Sequence, residues 1–136
     1  MKLVLTSILI GHLIGTAYRS VPNQTDDSPY STATGEHVCA HGIAISQDLL
    51  KKNGGTLEFG DVVYIQDIGF KVVNDTMNKR HRGRFDVWVS VYKEEKEFDQ
   101  KYRNKKLDVW KITSKEMANE IRTKFKMSDL IDKKGK

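Results

Sequence analysis

Two carboxylates bracket the most basic stretch of the chain: Asp75-Thr76 before Lys79-Arg80-His81-Arg82, and Arg84-Phe85-Asp86-Val87-Trp88 after it. Asp86 sits inside an apolar, strand-like run, where a charged carboxylate is costly unless it is paired or put to use. Two carboxyl groups facing one cleft are the parts of acid–base chemistry on a glycosidic bond. Asp75 and Asp86 are the candidates for that pair. Plainer readings stand beside this one. Asp86 can be a structural carboxylate paired with Arg84 or Arg82, and Asp75-Thr76 an ordinary turn-starting pair. Strand periodicity puts Arg84 on the face of Asp86, where its charge would oppose a raised pKa; the apolar setting of Phe85 and Trp88 would favour one.

Such residues need a frame, and the flanking sequence supplies short strands. Gly42-Ile43-Ala44-Ile45 is followed by a turn or short helix over Ser46–Lys52 and a break at Asn53-Gly54-Gly55. Val62–Ile65 and Phe70–Val73 read as hairpin partners around the tight turn Asp67-Ile68-Gly69. Phe85–Val91 is the next strand. Lys93–Arg103, with Phe98 and Tyr102 four apart, reads as a short helix, and Leu107–Ile112 alternates as the last strand. Many short strands at close spacing point to a small barrel or sandwich. After residue 113 the pattern changes. Thr113-Ser114-Lys115-Glu116 has capping-box spacing, and Met117, Ile121 and Phe125 recur every four residues. This predicts an amphipathic C-terminal helix with a basic tail over 113–136.

The N-terminal fifteen residues admit two readings: a short secretory signal, with small residues Gly15-Thr16-Ala17 at a cleavage site, or the first buried strand. The apolar run is too short, and too broken by Gly11 and His12, to predict a stable membrane span. Residues 19–42, rich in turn formers, read as a long loop, which in a compact domain is more often functional than idle.

A length of 136 residues with 38% hydrophobic and 30% charged content describes one soluble globular domain. The net charge of +5 favours an anionic partner: nucleic acid, a membrane surface or an acidic wall polymer. The basic residues lack aromatic interleaving, and no zinc-finger, RNA-recognition or Gly-rich phosphate-loop signature is present, so nucleic acid is not the expected partner. The one cysteine, Cys39, rules out an internal disulfide framework. His37, Cys39 and His41 alternate on one face and are zinc-ligand types, but no fourth ligand accompanies them, so neither metal nor cofactor is expected.

The ordered set Thr16-Ala17-Tyr18, Thr32-Ala33-Thr34-Gly35, Gly42-Ile43-Ala44-Ile45, Leu57–Ile65, Asp75-Thr76 and Arg84–Trp88 resembles the 3D (three-aspartate) domain. That family is a double-psi β-barrel, similar to the catalytic domain of membrane-bound lytic transglycosylase A and more distantly to expansin-like barrels. The resemblance spans residues 16–112. It implies a mainly β, six-stranded double-psi barrel with short helices, followed by the C-terminal amphipathic helix. Two departures stand out. Ser46 occupies the position of the first family aspartate, with Asp48 nearby, and Met77-Asn78 replaces the Gly-Gly that often follows Asp-Thr.

The resemblance implies a lytic transglycosylase-like enzyme acting on the MurNAc–GlcNAc β-1,4 bond of peptidoglycan, with hydrolysis as the second outcome. Asp86 would be the acid–base, and Asp75 would stabilise charge or hold Asp86. Tyr18, Thr34, Ser46, His81 and Arg84 would contact the glycan. The expected partner is a peptidoglycan glycan strand bound by a monomer. The expected setting is periplasm or cell wall, or the cytoplasm before release in the case of a phage or prophage lysin. The competing expectation, kept alive by Ser46, is a non-catalytic, expansin-like glycan-binding barrel.

Overall fold

A computed structural model describes residues 6–19 and 41–134. Thr34, His37 and Cys39 lie outside the described residues. Among the described residues there are six strands: β1 (Ser7–Tyr18), β2 (Gly42–Ile45), β3 (Val62–Ile65), β4 (Gly69–Thr76), β5 (Arg84–Trp88) and β6 (Lys106–Ile112). Helix α1 (Tyr92–Tyr102) lies between β5 and β6, and α2 (Lys115–Lys134) follows β6.

The strands close into a barrel in the order β1-β5-β2-β4-β3-β6. The β1·β5 and β2·β4 pairs are parallel and the other four are antiparallel. Advancing each strand by three maps β1·β5 onto β4·β2 and β3·β4 onto β6·β1, while β2·β5 and β3·β6 map onto themselves. Every pairing keeps its sense. The barrel is thus built from two interleaved halves, the mixed arrangement expected of a double-psi barrel.

Alternation along the strands fills the interior. Ile43, Ile45, Val63, Ile65, Val73, Phe85, Val87, Leu107 and Val109 form one buried cluster with Leu13, and Phe98 and Tyr102 of α1 pack against it. β3 reads as an unbroken apolar run because both of its faces are covered. Val63 and Ile65 face the interior, while Val62 joins Ile112 and Ala118 in a second cluster under α2, flanked by Met117 and Ile121. The predicted stripe of α2 therefore has its partner. The cap falls at Ser114, whose hydroxyl accepts the Met117 N–H at 3.2 Å. Phe125, the third residue of the stripe, stacks on His41 instead, with ring centroids 4.1 Å apart.

β1 is longer than the sequence pattern suggested. Its twelve residues pair with β6 through Ser7–Ile14 and with β5 through Ile14–Tyr18. Much of the apolar N-terminal run is thus barrel strand. Where β1 pairs with β5, Gly15 lies beside Phe85, and a Cβ there would stand 2.3 Å from the ring. β4 also runs past the predicted Val73 to Thr76, across a bulge. Among the described residues, no helix is long and apolar enough to cross a membrane.

Candidate active site

Phe85 and Val87 are buried inside the barrel, so alternation puts Arg84, Asp86 and Trp88 on its outer face. The registers place Thr16 of β1 and Ala44 of β2 directly beside Asp86, and Asp75 of β4 beside Ala44. A single row across four strands therefore reads Thr16, Asp86, Ala44, Asp75. Tyr18 lies two residues beyond Thr16 on the same face, opposite Trp88.

Asp75 reaches this face through a local irregularity. Ile43 pairs with Val73 and Ala44 with Asp75, so Asn74 is an extra residue in β4. Such a bulge turns the residues that follow it over. Without it, alternation from inward-facing Val73 would send Asp75 into the barrel. The side chain of Asn74 lies across Gly42, where a Cβ would stand 2.3 Å from Asn74 Nδ2. Gly42 is the residue that leaves room for the bulge.

Asp86 is half-buried, and Oδ1 accepts a hydrogen bond from Thr16 Oγ1 at 2.9 Å. Among the described residues neither Arg82 nor Arg84 forms an ion pair with it, so the structural-pair reading has no support in the geometry. Its pKa is raised from 3.8 to about 7. Desolvation is the main cause, the negative charges of Glu95 and Asp75 add to it, and the Thr16 hydrogen bond opposes it. Arg84 shares the face but acts on His81: burial, Arg80 and Arg84 lower the His81 pKa and favour its neutral form. Asp75 Oδ1 accepts the N–H of Thr76 at 2.8 Å. Two inter-strand steps separate Asp75 from Asp86, roughly 9.5 Å between backbones.

The remaining candidates are placed differently. Ser46 is fully buried. Its N–H donates to Arg84 O at 2.9 Å and its Oγ accepts the Arg84 N–H at 3.0 Å. It straps β2 to the start of β5, so the expectation of a substrate contact does not fit its position. Asp48 binds the loop that carries His81: its carboxylate accepts the Gly83 N–H, with Oδ2 at 3.2 Å. Gln47 Nε2 holds the same loop by donating to Met77 O at 3.2 Å. His81 and Arg84 thus stand on an anchored rim beside the row of aspartates.

Two residues of the site were not singled out by sequence reading. Thr16 falls in the first matching piece but shows its role only through strand register. Glu95 sits on the face of α1 that carries Phe98 and Tyr102, three and seven residues on; an acid on that stripe was the available signal. Among the described residues no group of three His, Cys, Asp or Glu side chains is arranged to hold a metal ion. A hollow on α2 lined by Glu116, Asn119, Glu120, Thr123 and Lys124 contains none of the candidates.

No protein-family model matches the chain, and no curated protein matches it.

Proposed function

We propose that this barrel cleaves the glycan strand of peptidoglycan as a lytic transglycosylase-like enzyme, with Asp86 as its single acid–base. The observation that carries the reading is the state of Asp86: a half-buried carboxyl group on the barrel's outer face, joined to no arginine among the described residues and raised to about 7. The residue on which the 3D-domain resemblance puts catalysis is the one whose environment suits it.

The chemistry needs one group that is acid first and base second. Protonated Asp86 gives its proton to the glycosidic oxygen as the C1–O bond breaks. The resulting carboxylate takes the proton of the muramoyl C6 hydroxyl as that oxygen bonds to C1. The products are a free hydroxyl on the GlcNAc side and a 1,6-anhydro ring, no water is consumed, and Asp86 ends protonated as it began. A pKa near 7 makes both forms accessible at neutral pH. Thr16 occupies Oδ1, which leaves Oδ2 to carry the proton. Asp75 adds negative charge on the side where oxocarbenium character develops. Tyr18 and Arg84 lie on the same outer face, on either side of the row, and the net charge of +5 aids approach to an anionic wall.

The substrate is a peptidoglycan strand and the acting form a monomer. The setting is periplasm or cell wall, or cytoplasm before release for a phage lysin. Any exported form must retain β1, because a cut after Ala17 would remove the strand that carries Thr16.

Asp86→Asn tests the reading: turnover on purified sacculi should fall by at least about a hundredfold while binding to them persists. Unchanged behaviour of Asp86→Asn, with wild type binding but releasing nothing, selects the non-catalytic glycan-binding barrel. The burial of Ser46 at the position of a family aspartate is the observation in favour of that second reading.

A further inference from the structure

We propose that Trp88 is a sugar-stacking residue of this same site, and that β5 fixes which way the glycan strand lies: the leaving GlcNAc ring on Trp88, the muramoyl ring toward Arg84. The inference rests on the proposed role of Asp86.

The placement comes from one strand. Phe85 and Val87 are buried inside the barrel, so Arg84, Asp86 and Trp88 share its outer face. Neighbours in this series stand two residues apart, roughly 6.6 Å along the strand. One row beyond Asp86 and Thr16, Tyr18 of β1 lies directly beside Trp88. The Val89 N–H donates to Tyr18 O at 2.9 Å, which holds the two aromatic residues in register. On the other side, β2 continues from Ala44 to Gly42, which brings no side chain of its own to the row. Trp88 belongs to neither buried cluster, whereas the outward Tyr64 of β3 packs on the one under α2. It remains partly exposed. A partly exposed aromatic pair beside an acid suits the apolar C–H face of a pyranose ring.

The other end of β5 has the opposite character. Arg84 opens the strand, and His81 and Arg82 stand on the anchored loop just before it. Among the described residues none of the three enters an ion pair. The two sugars of the scissile bond differ in the same respect. The muramoyl ring carries the lactyl group, with a carboxylate of its own or of the attached peptide; the GlcNAc ring carries no acid. A strand laid along β5 therefore sets its anionic ring at the cationic end and its neutral ring at the aromatic end, with the bond between them at Asp86. The reverse orientation would put the acid beside Trp88 and leave Arg84 without a counter-charge.

The chain has two tryptophans, so the site carries its own reporter. In Asp86→Asn, which holds ligand without cutting it, Trp110→Phe leaves Trp88 as the sole tryptophan and Trp88→Phe leaves Trp110. Each protein is titrated with tetra-N-acetylchitotetraose, which is neutral, and with a GlcNAc–MurNAc tetrasaccharide bearing free lactyl carboxylates, with calorimetry alongside. Trp88 emission should shift on binding of either ligand, and Trp110 emission should not. Trp88→Ala should weaken both ligands by roughly tenfold, and Arg84→Met should weaken the MurNAc ligand by a similar factor and spare the neutral one. Trp88 emission unmoved by a ligand that calorimetry shows to bind overturns the proposal, as does an Arg84→Met that treats the two ligands alike. If Trp88→Ala does not fold, those two readouts decide. Failure of both ligands to bind the folded protein also overturns it, while muropeptide release by wild type would still uphold the cleavage reading. The expected responses in a protein that releases nothing would keep the Trp88 subsite and remove that reading.

Discussion

Desolvation and two neighbouring carboxylates push Asp86 the same way, and only the Thr16 hydroxyl opposes them. This balance has a cost in stability. The folded protein binds the Asp86 proton more tightly than the unfolded chain, so between about pH 4 and pH 7 the folded state holds a proton that the unfolded state has lost. Stability contributed by that proton falls as pH rises through the window and is gone above about 7. The full span corresponds to at most about 4 kcal/mol, and to less where water screens the carboxyl. Asp86→Asn cannot ionise. It should flatten this part of the pH–stability curve and be about 2 kcal/mol more stable than wild type at pH 8, read by urea unfolding. A variant less stable than wild type at pH 8 would mean that the ionised carboxylate has a partner. Ser46 offers a contrast. Ser46→Ala should cost about 1–3 kcal/mol, because the Arg84 N–H loses a buried acceptor, and should leave turnover per folded molecule unchanged. Asp86 was legible in the sequence as a carboxylate inside an apolar strand, and Ser46 as a departure from the pattern of the resembled family. Their roles were not, because burial and partners are set by β5 and β2 meeting across forty residues of chain.

Among the elements, those with a local signal were the most legible. Gly42–Ile45 and Val62–Ile65 fall where the alternation and the turn residues put them. α1 is displaced by one residue from the predicted Lys93–Arg103. β5 ends at Trp88 rather than Val91, and Val91 is instead the cap of α1. The extension of β4 through the Asn74 bulge was not legible: a bulge depends on what pairs alongside, and Asn-Asp after an apolar run reads locally as a strand end. Yet that bulge is what brings Asp75 to the face of Asp86. The parallel pairing of β1 with β5 is equally non-local. It predicts that Gly15→Ala, which drives a methyl group into the Phe85 ring, costs roughly 1–3 kcal/mol by denaturant unfolding. A neutral result would mean that β1 can lift away from β5 without loss.

For the molecule as a whole, closure matters most. Each half of the barrel lends strands to the other, so neither has a complete set of partners alone. Trp88 stands on the acid face, in β5, and Trp110 lies on β6 near Tyr64, with ring centroids 6.2 Å apart. Unfolding of variants that keep one tryptophan each should give coincident urea midpoints that also match the far-ultraviolet signal. Separate midpoints would show that the two faces melt independently. Periodicity alone reaches "small barrel or sandwich" here, and the resemblance adds the six-stranded double-psi class; the order of strands is legible only in the structure, because pairing order leaves no local mark. The central claim remains a chemical one, that Asp86 cleaves glycan without water. Mass spectrometry of the muropeptides released from purified sacculi by wild type and by Asp86→Asn tests it most directly. The account predicts 1,6-anhydro-muropeptides from wild type and none from the variant. Reducing-end products, or anhydro products from both proteins, would contradict it.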